Sequence, residues 1–139
     1  MERMMERRED LEKSLKQFHS SIDLLQNTKK QSAVSMEQIV AYRDSVIKRF
    51  ELRFDLLWKN LKDLLEYKFG ILLNSPKKVF QEARVQKLLE AKELAGALEM
   101  TDDRNLSVHT YDNEIAEDVA YRAIEHYALM KKIAEKISF

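Results

Sequence analysis

Cysteine is absent from the 139 residues, and glycine and proline occur only twice and once. Each shortage excludes something. Zinc ribbons, thiol catalysis and disulfide scaffolds need cysteine. A dinucleotide-binding loop needs three close glycines and a phosphate-binding P-loop needs two. β-Sandwiches and barrels need many tight turns built on Gly, Pro or Asn-Gly. Long apolar runs are missing too: none approaches the roughly 20 residues of a membrane span. The opening Met1-Glu2-Arg3-Met4-Met5-Glu6-Arg7-Arg8 leads into no apolar signal core, so no membrane association and a cytoplasmic location are expected. Neither sign of charge dominates: 24 basic and 24 acidic residues cancel. The basic excess of a general nucleic-acid binder is therefore lacking.

What is present favours helices. Hydrophobic residues make up 45% and charged residues 35% of the chain, enough apolar content for one domain over 1–139 with a sizeable core. Met4, Leu11, Leu15, Phe18, Ile22 and Leu25 recur at helical steps, predicting a helix from about Glu2 to Asn27. Thr28 to Ser35 reads as a loop. Ser35 with Gln38 forms a capping box for a second helix running to Phe69, and Gly70 closes it. Ile39, Val46, Phe50, Phe54, Leu57, Trp58, Leu61 and Leu65 give it a broad apolar stripe suited to a bundle core.

Ser75-Pro76 starts a third helix, expected to reach about Leu89, with Ser75 as its cap. A fourth should run from about Ala91 to Val108, weakened slightly by Gly96. Asp112 caps a fifth to about Lys136, with Ile115, Val119, Ile124, Ala128 and Ile133 inward. The expected fold is all-α, an antiparallel up-and-down bundle of four or five helices.

Most ionisable clusters have a structural reading. His19 and His126 lack a second ligand at a convincing spacing and are expected to pack. Glu51 and Asp55 share a helix face; with Lys48, Arg53 and Lys59 close by, a solvated or salt-bridged face is expected, and no metal site. The informative segment is 101–118, Thr-Asp-Asp-Arg-Asn-Leu-Ser-Val-His-Thr-Tyr-Asp-Asn-Glu-Ile-Ala-Glu-Asp. In it Arg104, Asn105, His109 and Tyr111 follow an Arg-x4-His-x-Tyr pattern. A histidine can move a proton at a ribose hydroxyl, and an arginine can clamp a phosphate, so metal-free phosphoryl chemistry is one reading. Five residues rotate about 140° on a straight helix, so Arg104 and His109 converge only if the helix breaks or a symmetric dimer joins two copies. The other reading pairs Arg104 with Asp102, Asp103 or a neighbouring helix, while Tyr111 packs the turn.

These motifs also carry a resemblance. Arg49-Phe50-Glu51 with Phe54, Asp55, Trp58 and Lys59, then Ser75-Pro76, then Asp103 to Asp112, resemble the HEPN superfamily. The likeness is to its small nucleotidyltransferase substrate-binding proteins, which accompany a minimal nucleotidyltransferase in HEPN/MNT pairs. It implies a homodimeric helical bundle similar to the helical domain of kanamycin nucleotidyltransferase. In toxin members it implies a metal-independent endoribonuclease acting on RNA, with Arg104 and His109 catalytic, Asn105 supporting and Tyr111 receiving AMP from the partner. No cofactor is implied for this chain; ATP-Mg belongs to the partner.

One feature opposes RNA binding. Between 99 and 118 seven acids (Glu99, Asp102, Asp103, Asp112, Glu114, Glu117, Asp118) face one base, Arg104, a balance of −6. Lys48, Arg49 or Arg53, or a dimer mate, would have to offset it. The same acidity suits docking of a basic partner through Asp112, Glu114, Glu117 and Asp118. Three readings stand: a ribonuclease toxin silenced by AMPylation at Tyr111, a non-catalytic substrate-binding or docking subunit of a two-component nucleotidyltransferase, and a helical interaction protein with no nucleotide link.

Overall fold

The computed structural model describes residues 2–31 and 33–137. Five α-helices and one short 3-10 turn account for it: α1 Glu2–Lys29, α2 Met36–Phe69, α3 Pro76–Val85, α4 Ala91–Leu106, the turn Ser107–His109, and α5 Asn113–Lys136. The long α2 is the axis of the bundle. It packs against α1 along one side and against α3, α4 and α5 on the others. At 34 residues it spans about 50 Å.

The ends of α2 follow from local chemistry. The Ser35 hydroxyl accepts from the Gln38 N–H at 3.2 Å, and the Gln38 side chain accepts from the Ser35 N–H at 3.2 Å. Gly70 takes a left-handed φ of 68°, open to glycine without a Cβ penalty. Its N–H donates to the Glu66 carbonyl at 3.0 Å. The stripe read from the sequence is the core: Phe50, Phe54, Leu57, Leu61 and Leu65 are buried, against Leu11, Phe18 and Leu25 of α1. Trp58 packs at its margin.

Four expectations need correction. Helix α3 stops at Val85, short of Leu89, because Lys87 turns left-handed with φ 63°. That reversal sends Leu89 into the core. Ser75 occupies the cap position, but its side chain makes no capping hydrogen bond; Pro76, which has no N–H to satisfy, starts the helix unaided. Helix α4 ends at Leu106, before Val108. The Ser107 hydroxyl donates to the Arg104 carbonyl at 2.7 Å and competes with the helical ladder there. On α5, Ala128 is exposed and the inner face is Ala116, Val119, Ala120, Ala123, Met130, Ile133 and Ala134. Gly96 does more than weaken α4: a Cβ there would lie 2.6 Å from Leu129 Cδ2, so its absence lets α5 pack close.

A polar tie closes the α4–α5 pair. Glu93 accepts from the Glu90 N–H at 2.9 Å and pairs with Lys136 from the end of α5. Burial alone would raise the Glu93 carboxyl, but the Glu90 N–H and the Lys136 ammonium together hold it below its ordinary 4.5. A carboxyl depressed in the folded state stabilises above its unfolded pKa, and that stability is lost as pH falls through the folded value. Urea midpoints measured from pH 6 downward should therefore fall less steeply for Glu93→Gln than for the wild type. Parallel slopes would show that the tie contributes nothing.

Candidate functional site

The site is assembled where the end of α4 meets the middle of α2 and the start of α5. Beneath it Ile47, Ala116, Val119 and Ala120 form a small apolar cluster, flanked by Leu106 and Ile115, that holds the three elements together. Successive residues of α4 diverge by about 100°, and Asp103 and Arg104 use that divergence to reach different helices.

Arg104 faces α2. Its Nη1 donates to Glu51 Oε2 at 2.8 Å, while Nε and Nη2 donate as a fork to the two Asp55 oxygens at 3.3 and 3.2 Å. Ser107 completes the cluster: its hydroxyl oxygen lies 2.9 Å from Glu51 Oε2 and 3.3 Å from Arg104 Nη1. So Glu51 and Asp55 are salt-bridged, as expected, but by Arg104 and not by Lys48, Arg53 or Lys59. Arg53 is buried and turned toward α1, where it donates to the Ser14 carbonyl at 2.6 Å, so it offsets no acidity at this site.

Asp103 faces α5. It is buried and accepts from Arg122 Nε at 2.8 Å, with His126 Nε2 at 2.6 Å from its second oxygen. The His126 ring stacks on Phe50, centroids 5.8 Å apart at 23°. His126 is thus a packed histidine with a carboxylate partner 23 residues away, a pairing its own neighbours do not reveal. His19, half-exposed, pairs with Asp23 at 3.3 Å.

The motif's histidine and tyrosine lie apart from Arg104's partners. The helix breaks before His109, which stands exposed at the end of the 3-10 turn. Its Nδ1 is 3.5 Å from the Tyr111 hydroxyl, and the rings meet edge to face. Tyr111 is 85% exposed, more than any other large hydrophobic side chain described. Among the described residues Arg104 and His109 share no hydrogen bond. Asn105 is exposed and without a partner among the described residues.

The acidic stretch is less free than its composition implies. Asp112 caps α5, accepting from the N–H groups of Glu114 and Ile115 at 3.0 and 3.3 Å. Asp102 pairs with Lys77 at 2.6 Å. Glu117 accepts from Arg43 Nη1 at 2.9 Å, beside Asn113 on the same nitrogen at 2.6 Å. Burial alone would lower the buried Arg43, but Glu117 and Asp44 raise it above its ordinary value. Of the four docking candidates only Glu114 and Asp118 remain exposed and uncommitted among the described residues. Arg43 was missed by sequence reasoning, although its spacing to Val46, Ile47 and Phe50 sets it on the buried stripe of α2. Among the described residues no group of three or more His, Asp or Glu side chains could hold a metal ion.

The pairing of Arg104 with α2 joins the two halves of the motif set, and the same span is matched by a family of known proteins. Residues 7–138 fit the family described as nucleotidyltransferase substrate binding protein like. The chain belongs to that family. The family's name ties it to nucleotidyltransferases as a substrate-binding protein. A Thermus thermophilus protein of known crystal structure is similar: it is 32% identical, covers 88% of this chain and 99% of its own, and superposes with a TM-score of 0.69. No curated protein matches the chain. No helix among the described residues is long and apolar enough to cross a membrane.

Proposed function

We propose that this chain is the non-catalytic, substrate-binding and docking partner of a separate nucleotidyltransferase. The observation that supports it is the state of Arg104. Both edges of its guanidinium are occupied by Glu51 and Asp55. An arginine neutralised by two carboxylates is poorly placed to stabilise charge building on a phosphate. It serves instead as a strut between α2 and α4. The partner meets the exposed acids Glu114 and Asp118 at the start of α5, and the transfer chemistry on ATP is the partner's.

The test is co-expression with the nucleotidyltransferase of the neighbouring reading frame, recognisable by Gly-Ser followed by Asp-x-Asp. The two should elute as one complex. Glu114→Lys with Asp118→Lys should weaken it at least about tenfold, since like charges then face a basic surface. Unchanged affinity would remove this face as the docking surface, and separate elution would remove the reading.

A second reading, a HEPN-type ribonuclease silenced by AMP transfer to Tyr111, rests on one feature. Tyr111 stands open to a partner's active site beside His109. Added nucleotide there would bring bulk and negative charge to the histidine. It predicts growth arrest without the partner, relieved by His109→Ala, and an intact mass heavier by AMP after co-expression. RNA left intact by purified protein decides for the docking reading.

A further inference from the structure

On the opposite side of α2 lies a groove of roughly 350 Å³ between α1 and α2. Arg49, on its wall, is two residues before Glu51 and so about 200° around the helix from the Arg104 cluster. Lys16, Gln17 and Ser20 of α1 face Ser45 and Arg49 of α2, and Leu24 closes one end. The small serines are what leave the space. Among the described residues no acid and no aromatic ring lines it.

Beneath the groove sits an uncompensated charge. Arg53 is 5% exposed. Its guanidinium donates only to neutral acceptors: the Ser14 carbonyl at 2.6 Å, the Gln17 side chain at 2.5 Å and the Arg49 carbonyl at 3.4 Å. Burial, and then the neighbouring Arg49 charge, pull it below the usual arginine range to about 10, still cationic at neutral pH. A buried charge without a counter-ion is costly. Lys16 and Arg49 also lack carboxylate partners among the described residues. The neighbouring acids are engaged elsewhere, Asp23 with His19 and Asp44 with Arg43. Two cations at the rim, Arg53 beneath them, and the unpartnered hydroxyls of Ser20 and Ser45 gather positive charge and hydrogen-bonding groups on one surface.

We infer that this α1–α2 groove binds a small phosphate-bearing, hydroxyl-rich molecule such as a sugar phosphate. Lys16 and Arg49 hold the phosphate over Arg53, and Gln17, Ser20 and Ser45 bond the hydroxyls. The absence of an aromatic wall disfavours a nucleobase, which would seek a stacking surface. A space of roughly 350 Å³ suits one phosphate better than a run of them. That this molecule is the nucleotide acceptor rests on the substrate-binding reading above; the anion site itself does not.

The experiment is amide NMR titration of the full chain with inorganic phosphate, glucose 6-phosphate, glucose and a short RNA oligomer. Phosphate and glucose 6-phosphate should each shift amides in 16–24 and 45–49 saturably, the sugar phosphate binding at least about threefold more tightly. Glucose alone should not bind. Arg49→Gln and Lys16→Gln, both at accessible positions, should each weaken binding about tenfold, the scale of one charge-assisted hydrogen bond. The Glu114→Lys, Asp118→Lys variant should bind as the wild type does. No saturable shift at millimolar phosphate overturns the site, as does equal affinity in Arg49→Gln. RNA binding in preference to the sugar phosphate overturns the ligand class. Phosphate binding by a chain that ignores the co-expressed nucleotidyltransferase would leave the groove standing and remove only the docking reading.

Discussion

Arg104→Ala is expected to cost about 3 kcal/mol of stability, which corresponds to a fall in Tm of the order of 8–10 °C for a chain this size. The substitution leaves two carboxylates facing each other without their cation. Glu51 is the expensive one, with its side chain only 19% exposed. Asp55 is 36% exposed, so solvent screens its share and the figure stays below the upper range for a buried pair. Arg104→Lys should recover little, because an ammonium cannot present a fork to Asp55 and still reach Glu51. The deciding measurement is a double-mutant cycle. Arg104→Gln and Glu51→Gln should each destabilise, and the double variant should regain at least half of the loss, since only the more exposed Asp55 is then left without a partner. If Arg104→Gln unfolds at the wild-type midpoint, the arginine is no strut and is free to serve a phosphate.

The second large effect lies in the core beside that site. Phe50→Ala should cost about 4 kcal/mol, the usual scale for deleting a fully buried ring. Phe50 is 0% exposed and meets Phe18 at 6.3 Å, Phe54 at 6.4 Å and the His126 ring at 5.8 Å. Its loss therefore opens a cavity between α1, α2 and α5 and removes the surface that holds His126 against Asp103. Phe50→Leu should lose about 1 kcal/mol, being nearer in volume. Chemical denaturation of the three proteins checks this, and a loss under about 1.5 kcal/mol for Phe50→Ala would mean that the helices collapse into the gap.

The two effects belong to different layers of the same molecule, and the sequence exposes those layers unequally. Helix α2 is legible because its signals are local: Ser35 and Gln38 at one end, Gly70 at the other, and a stripe whose period is set by the helix itself. The same locality explains the misjudged end of α3, where a non-glycine residue, Lys87, adopts the left-handed conformation. Residue preference points elsewhere, and only burial of Leu89 makes the reversal worthwhile. The candidate segment shows the split most clearly. Arg104, His109 and Tyr111 stand out by spacing, and the helix does break before His109, yet Arg104 and His109 keep separate partners. The partners of Arg104, however, lie 49 and 53 residues away. Asp103, its neighbour in sequence, is spent on Arg122 and His126.

Composition and periodicity thus settled the helical class, the approximate placement of the helices and the stripes that α1 and α2 bury, because those depend on a residue and its neighbours within two turns. Which acid meets which base was settled by the packing of α4 against α2 and of α5 against both. A chain with 24 cations and 24 anions offers far more pairings than it can make. Folding selects among them by desolvation and distance, quantities that exist only once the helices touch. That selection turned a conspicuous arginine into a strut, left Glu114 and Asp118 facing outward, and stranded Arg53 without a counter-ion beneath an open groove.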